Sequence, residues 1–156
     1  MITVLLSMFL MLAAPQQGEA HIVIDKQNFT LTYYAADGTP EKVYRIACGR
    51  NLGNKTRRGD RKTPEGTFKI NQILNAKGIP HDFNDGKGPV KDAYGPWFLR
   101  LDVPGYHDIG IHGTHLPESI GSRVTEGCIR LTNEDITDLK SRVWLGMSVT
   151  ILPDPE

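Results

Sequence analysis

Helical periodicity is confined to one segment near the end of this chain, and this restricts the possible fold more than any other feature. Residues 132–135 resemble a capping box, in which side chains satisfy the free backbone N–H groups at a helix start. Ile136, Leu139 and Val143 then recur at helical spacing, with acidic residues at the start of the segment and basic residues near its end. We therefore expect one principal helix here.

The other regular segments are short, rich in β-branched and aromatic residues, and separated by turn signals such as Ala36-Asp37-Gly38. Such segments favour strands. They lie at residues 22–24, 29–34, 43–48, 66–73, 97–101, 109–112 and 149–152. The expected fold class is therefore mainly β with one or two short helices.

Composition and charge agree with one globular domain. The chain has 156 residues, of which 39% are hydrophobic and 23% charged, which is enough apolar material for one core. The formal net charge is zero, so no nucleic-acid partner is indicated. Seven basic residues do fall between Arg45 and Lys62. This cluster is interpreted as a solvated loop, with an anion-facing surface as the alternative.

The first 20 residues differ from the rest of the chain. Residues 2–14 are nearly all apolar, too short a run for an ordinary membrane span and of the right length for the core of a signal peptide. Gly18-Glu19-Ala20 supplies small residues where a signal peptidase cleaves. We expect a signal peptide at 1–20, a mature domain at 21–156 and export to the periplasm or the wall-facing side of the cytoplasmic membrane. No basic residue precedes the apolar run, and a buried N-terminal helix is the alternative.

Two cysteines have different surroundings. Cys48 ends a strand-like segment and is interpreted as a small buried apolar residue, whereas Cys128 follows Gly127 in a polar loop. A disulfide between the two cysteines is the less favoured alternative. His112 ends the apolar run 109–112, so a fold that brings it to Cys128 would supply the base that a thiol nucleophile needs.

The spacing of these residues resembles a family signature. The pair His112-Gly113 is followed by the run Thr125 to Arg130, which reads Thr-Glu-Gly-Cys-Ile-Arg. Cys128 lies 16 residues after His112. This pattern resembles the YkuD-type L,D-transpeptidases of bacterial peptidoglycan, and residues 63–68, Thr-Pro-Glu-Gly-Thr-Phe, resemble a second segment of that family. The resemblance covers about residues 21 to 153. It implies a YkuD-like β-sandwich with the catalytic cysteine in a loop before the main helix.

One residue departs from the signature. Most members of the family have histidine or another basic residue directly before Gly-Cys, and this chain has Glu126. A carboxylate close to Cys128 opposes thiolate formation, and Arg130 is a source of compensating charge. Replacement of the missing histidine by His115 is the less favoured alternative.

The resemblance implies a mechanism without a cofactor. His112 takes the proton of Cys128, and the thiolate attacks the third residue of a donor stem tetrapeptide, releasing D-alanine. The N–H groups of Gly127 and Cys128 are expected to form an oxyanion hole, and the Gly113 carbonyl is expected to orient His112. The acyl acceptor is an amine, in a 3-3 crosslink or an anchored protein, or water in a carboxypeptidase.

Further substrate contacts are expected from a second group of residues. The loop at 74–96 is predicted to lie beside the active site as a lid, with Tyr94 and Trp97 either covering substrate or anchoring the loop. The complete set of predicted contacts is Arg130, Thr114, Ser122, Trp97 and Tyr94. The expected partners are peptidoglycan stem peptides.

Two other classes of function stay open. In one, the domain keeps the fold, lacks the chemistry because of Glu126, and only binds peptidoglycan. In the other, a zinc site serves a metallopeptidase, although the candidate ligands reproduce no familiar zinc motif. Those candidates are His81, His107, His112, His115 and Cys128.

Overall fold

The computed structural model describes residues 18–156, so nearly all of the predicted signal peptide lies outside the described residues. The described part contains ten strands, one 3₁₀ helix at Pro117–Ser119 and one α-helix, which confirms the prediction of a mainly β domain with one principal helix. The strands are β1 (His21–Asp25), β2 (Thr30–Tyr34), β3 (Pro40–Arg45), β4 (Cys48–Gly49), β5 (Gly66–Asn75), β6 (Trp97–Leu101), β7 (Gly110–His112), β8 (Arg123–Thr125), β9 (Ile129–Arg130) and β10 (Ser148–Ile151).

Eight of these strands form one curled sheet in the order β3-β2-β1-β10-β5-β6-β7-β9, and β4 and β8 form a second, two-stranded sheet. The long strand β5 joins the two halves of the larger sheet. Its first residues pair with β10, and its later residues pair with β6 after a register shift between Ile70 and Gln72. A β-bulge of this kind increases local twist, so the sheet can curl around one core.

The core follows from alternation along the strands. In β1 and β2 every second residue is buried, including Ile22, Ile24 and Leu31. The buried apolar residues of both halves of the sheet join in one cluster. Cys48 belongs to this cluster, is fully buried and is a free thiol, which confirms its interpretation as a small apolar residue.

The helix α1 (Asn133–Arg142) begins where the sequence predicts. The Thr132 hydroxyl accepts a hydrogen bond from the Asp135 N–H at 3.1 Å, which caps the first turn. Ile136 and Leu139 are fully buried on the face that packs against β6 and β7. No helix of residues 18–156 is long and apolar enough to cross a membrane.

The short strands β8 and β9 are absent from the sequence prediction because two or three residues carry no measurable periodicity. They nevertheless position the cysteine. Strand β9 pairs in parallel with β7, with Ile111 opposite Ile129 and His112 opposite Arg130. The loop that holds Cys128 therefore enters the sheet beside the strand that holds His112.

A buried ionic cluster fixes the strand that leads into the cysteine loop. Asp154 accepts from Lys26 Nζ at 2.9 Å, from Arg123 Nη2 at 2.6 Å and from the Gly53 N–H at 2.9 Å. Arg123 begins β8, so the carboxylate connects the end of the chain to the strand just before the cysteine loop. Burial alone would raise the pKa of Asp154, but the Gly53 N–H and the two cations lower it to about 2.

We expect Asp154→Asn to lower the free energy of unfolding by about 3 kcal/mol, because Lys26 is buried and loses its closest anionic partner. Because the pKa of this carboxyl falls from 3.8 to about 2 on folding, its ionised form stabilises the fold at every pH above 3.8. That contribution is lost as the pH falls toward about 2. Chemical denaturation from neutral to acid pH measures the difference, which should shrink only below about pH 4. The exposed Glu156→Gln is the control, and an equal effect of both variants would contradict the prediction.

Candidate active site

Cys128 and His112 line the same cavity, which has a volume of about 410 Å³. Its walls come from the basic loop at residues 55–61, from the long loop at 76–96, from the residues that lead into β7 and from the cysteine loop. The structure thus brings together the two residues that the sequence predicts as nucleophile and base.

The pairing of β7 with β9 explains why these side chains share one face. His112 lies opposite Arg130, and Cys128 precedes Arg130 by two residues. Because side chains alternate between the faces of a strand, Cys128 and Arg130 project from the same side of the chain. All three side chains reach the cavity.

His112 is fixed in one tautomer. Its side chain is buried, and Nδ1 lies 2.5 Å from the carbonyl oxygen of Gly113. A carbonyl only accepts, so Nδ1 carries the proton and Nε2 is free to take one. This geometry gives Gly113 the orienting contact that the sequence predicts. Burial lowers the pKa of His112 to about 3, so the ring is a neutral base at physiological pH.

Two aromatic rings hold the imidazole in place. The ring of Tyr94 lies edge-on to His112 at 5.0 Å, and the ring of Phe98 stacks on it at 5.5 Å. Tyr94 also lines the cavity, where the sequence predicts it. The contact of Phe98 was not predicted.

Trp97 requires a correction. Trp97 and Phe98 are neighbours in β6, so they face opposite sides of the sheet. Trp97 is half-buried against the core and does not line the cavity; its ring lies 4.3 Å from the ammonium of Lys140 on α1. Trp97 therefore has an anchoring role, which is the alternative to covering substrate. Phe98 is the residue of this strand that contacts His112.

Cys128 is a neutral thiol in the resting site. Its Sγ donates a hydrogen bond to the backbone carbonyl of Asp108 at 3.2 Å and not to His112. Burial raises the pKa of Cys128 to about 12, and the carboxylates of Asp108 and Glu126 add to this effect. The thiol must therefore turn from Asp108 toward His112 and lose its proton as it attacks.

The cysteine loop is held together by Thr125. Its hydroxyl donates to the carbonyl of Cys128 at 2.7 Å and accepts from the N–H of Gly127 at 3.1 Å. The prediction that Gly127 supplies an oxyanion-hole donor is therefore corrected: its N–H is already bonded inside the loop. The N–H of Cys128 stays the predicted donor.

Gly127 has a structural reason to be glycine. Its φ of 141° is disfavoured for other residues, and a Cβ atom here would lie 2.8 Å from the carbonyl oxygen of Lys62. The cysteine loop thus packs directly against the backbone of the basic loop.

Arg130 is buried beneath the cavity. Its Nη1 donates to the Ser119 hydroxyl at 3.0 Å, and its Nε has no hydrogen-bond partner among the described residues. The guanidinium also borders an adjoining cavity of about 500 Å³. It therefore anchors the 3₁₀ helix and still offers N–H groups toward both cavities.

Thr114 and Ser122 are corrected as well. The Thr114 hydroxyl accepts from the Leu116 N–H at 2.9 Å, and the Ser122 hydroxyl donates to the Ser119 carbonyl at 2.5 Å. Neither residue lines either cavity at the site. Both side chains shape the turns between β7 and β8, and neither is in place to contact substrate.

The basic loop presents cations to the cavity. Asp60 accepts hydrogen bonds from Lys55 Nζ at 2.9 Å and from the backbone N–H of Thr56, Arg57 and Lys62, and these contacts lower the pKa of Asp60 despite its burial. The fixed loop directs Arg58 and Arg61 to the cavity wall. Part of the basic cluster thus faces the site, which supports the alternative reading over a purely solvated loop.

The histidines do not form a metal site. His107 borders a different cavity, and His115 packs near Phe83 beside the adjoining cavity. Within residues 18–156, no three His, Cys, Asp or Glu side chains converge in an arrangement that could hold a metal ion. His81 instead contacts Glu126, with Nε2 2.9 Å from Oε2.

Comparison with known proteins places this site in a family. Residues 19–151 match the family model YkuD, described as the L,D-transpeptidase catalytic domain. The chain belongs to this family.

The chain is similar to two proteins of Bacillus subtilis (strain 168) that are named as L,D-transpeptidases. YqjB is 29% identical over 147 residues, which are 90% of this chain and 75% of YqjB. YkuD is 37% identical over 131 residues, which are 84% of this chain and 65% of YkuD. The chain thus spans 65% to 75% of the length of these relatives.

Solved structures show the same fold. The catalytic domain of the E. faecium L,D-transpeptidase superposes with a TM-score of 0.63 at 22% identity, covering 88% of this chain and 99% of that domain. L,D-transpeptidase 3 from Mycobacterium tuberculosis, in complex with a faropenem-derived adduct, gives 0.65 at 18% identity, covering 85% of this chain and 60% of that one. The expected YkuD-like fold is confirmed.

We expect Gly127→Ala to distort the cysteine loop, because the new Cβ meets the Lys62 carbonyl and the backbone holds a positive φ. The free energy of unfolding should fall by more than about 2 kcal/mol. Gly38→Ala is a matched control, since Gly38 also has a positive φ but open space around it. Denaturation curves that show equal losses for both variants would contradict a steric role for Gly127.

Proposed function

We propose that this domain is a peptidoglycan L,D-transpeptidase in which Cys128 is the nucleophile and His112 the general base. The observation that carries the proposal is the joint placement of both side chains in one cavity, with the base nitrogen of His112 freed by the contact between Nδ1 and Gly113. Membership of the YkuD family supports the same reaction class.

The first half-reaction is an acyl transfer to sulfur. As Sγ of Cys128 attacks the carbonyl carbon of the third residue of a donor tetrapeptide, Nε2 of His112 takes the thiol proton. The tetrahedral oxyanion accepts a hydrogen bond from the backbone N–H of Cys128. When the C–N bond breaks, the imidazolium returns the proton to the departing amine of D-alanine, and a thioester on Cys128 remains.

The second half-reaction consumes the thioester. An acceptor amine attacks the same carbonyl carbon, and His112 takes a proton from the amine. As the C–S bond breaks, the imidazolium passes that proton to the sulfur, which regenerates the thiol and the neutral ring. A stem-peptide amine gives a 3-3 crosslink, and an amine on a wall protein gives protein attachment. Water as acceptor gives an L,D-carboxypeptidase.

The charge of the cavities supports a stem-peptide substrate. Stem peptides carry carboxylates, and Arg58 and Arg61 line the cavity of Cys128 while Arg130 is buried beneath it. Guanidinium groups bind carboxylates through paired hydrogen bonds. The adjoining cavity shares Arg61 and Arg130, so it offers room for a second peptide next to the first.

The place of action follows from the substrate. Peptidoglycan lies outside the cytoplasmic membrane, and the sequence of residues 1–20 is typical of a signal peptide. We therefore include export to the periplasm or wall-facing side in the proposal.

We expect Cys128→Ala to abolish the reaction with a disaccharide tetrapeptide, because a thioester needs a cysteine and the second cysteine, Cys48, is buried and does not line the cavity. Intact-protein mass spectrometry should show an acyl adduct with D-alanine release in the wild-type protein and none in the variant. Cys48→Ala is the matched control, since Cys48 is a buried thiol that does not line the cavity.

The products of the same incubation identify the acceptor. Crosslinked dimers indicate a transpeptidase, whereas tripeptide alone indicates a carboxypeptidase. Unchanged masses of wild-type protein and substrate would overturn the proposal and favour a peptidoglycan-binding domain. Because L,D-transpeptidase 3 of M. tuberculosis was solved with a faropenem-derived adduct, acylation of Cys128 by faropenem is a second expected readout.

We expect His112→Ala to slow acylation by about 10² to 10⁴-fold, the usual contribution of a general base. The active form of His112 is the neutral ring, and its pKa is lowered to about 3, so its protonation should not reduce the wild-type rate between about pH 5 and about pH 7. Rates of adduct formation by mass spectrometry test this. A tenfold fall across that range would contradict the neutral-base assignment.

A further inference from the structure

The departure from the family signature has a structural partner elsewhere in the chain. Glu126 precedes Gly127 and Cys128, and its side chain is 50% exposed at the cavity. Its Oε2 lies 2.9 Å from Nε2 of His81, a residue of the long loop. The Tyr94 hydroxyl lies 2.8 Å from the other ring nitrogen, Nδ1.

The chemistry of the three groups fixes the direction of these hydrogen bonds. An ionised carboxylate only accepts, so Nε2 of His81 carries the hydrogen that faces Glu126. In the neutral ring Nδ1 then accepts from the Tyr94 hydroxyl. Burial, together with the nearby Cys128 and Glu126, raises the pKa of Tyr94 to about 12, so this hydroxyl keeps its proton. The chain of donors runs from Tyr94 through His81 to Glu126.

His81 is held firmly enough to serve as a support. Its backbone N–H donates to the Val90 carbonyl at 3.0 Å, and its carbonyl accepts from the Val90 N–H at 2.8 Å. The ring of Phe83 packs edge-on against the imidazole at 4.6 Å. His81 and Val90 thus close the segment 82–89 at its base. The backbone of His81 and both of its ring nitrogens are restrained by hydrogen bonds.

Glu126 is one of two carboxylates that act on Cys128. Burial is the largest obstacle to ionisation of the thiol, Asp108 and Glu126 add to it, and the Gly110 backbone and Arg130 favour ionisation. The carboxylate of Asp108 faces the exposed Arg58 at 3.4 Å, whereas that of Glu126 faces His81. The other titratable groups that line this cavity are Lys55, Arg61, Tyr94 and His112.

We propose that His81 is a positioning residue of the active site, which acts through Glu126 by donating a hydrogen bond that holds its carboxylate on the loop and so limits its effect on Cys128. Tyr94 orients the imidazole for this role. The inference rests on the proposed function of Cys128 as the nucleophile. It assigns to a loop histidine the restraint of the carboxylate that replaces the basic residue of the family signature.

The proposal predicts a specific dependence between two residues. Without His81, the Glu126 carboxylate loses the hydrogen bond that holds it on the loop and is free to turn toward the sulfur, where it opposes every anionic state of Cys128. In Glu126→Gln there is no carboxylate for His81 to restrain. Loss of His81 should therefore matter only while Glu126 is a carboxylate.

The test measures alkylation of Cys128 by iodoacetamide across pH, with the modified cysteine assigned by peptide mass spectrometry. His81→Gln should slow alkylation about tenfold near pH 8, which corresponds to a tenfold lower thiolate fraction. Glu126→Gln should not slow it, and the double variant should behave like Glu126→Gln. The matched control is His115→Gln, because His115 is an exposed histidine that packs near Phe83 and does not contact Glu126.

Two outcomes would overturn the proposal. Equal slowing by His81→Gln in the wild-type and Glu126→Gln backgrounds would show that His81 acts independently of the carboxylate, and an unchanged rate in His81→Gln would show no role. If thermal unfolding shows that His81→Gln does not fold, Tyr94→Phe replaces it, with a smaller slowing that must also vanish in the Glu126→Gln background.

These results are separable from the proposed function. Alkylation requires no peptidoglycan, so the coupling between His81 and Glu126 is measured whether or not the protein turns over a tetrapeptide. Absence of an acyl adduct on wild-type Cys128 would overturn the transpeptidase proposal alone. A normal adduct together with independent effects of the two variants would overturn the inference alone.

Discussion

The parallel pairing of β7 with β9 is the interaction on which the site depends. It sets His112 opposite Arg130 and, through strand alternation, turns Cys128 toward the same cavity. A shift of one residue in this register would send the cysteine to the other face of the sheet. The register is held from several sides: Arg130 exchanges two backbone hydrogen bonds with Ala47, and the His112 carbonyl accepts from Leu131. A two-residue strand is stable here because its neighbours are fixed.

Burial then determines the protonation states in the site. A desolvated imidazole loses its proton easily, and a desolvated thiol keeps its proton, so His112 and Cys128 rest as a neutral pair. This differs from a preformed thiolate and imidazolium, in which the ions stabilise each other. In a neutral pair the sulfur becomes anionic only during attack. Fixed dipoles and nearby charges then affect the transition state more than the resting site.

Local chemistry could be predicted from the sequence, and relations across the sheet could not. The helix start at Thr132 and the burial of Cys48 follow from neighbouring residues, and the sequence indicated both. The two roles left open for Trp97 could not be separated, because a strand segment shows that faces alternate but not which face meets the site; Phe98 is the neighbour that stacks on His112. Thr114 has the composition of a polar contact, but its hydroxyl is used by its own turn.

His81 illustrates the same limit at longer range. It lies 45 residues before Glu126, in a loop without regular structure, so no periodicity or motif connects the two. Glu126 taken alone suggests an impaired nucleophile, because only the charge next to Cys128 is visible in the sequence. The fold supplies the missing context: a loop returns beside the cysteine loop and places a hydrogen-bond donor on the carboxylate. A departure from a family signature is therefore informative only when the groups that surround the altered side chain are known, since electrostatic compensation acts through space and not along the chain.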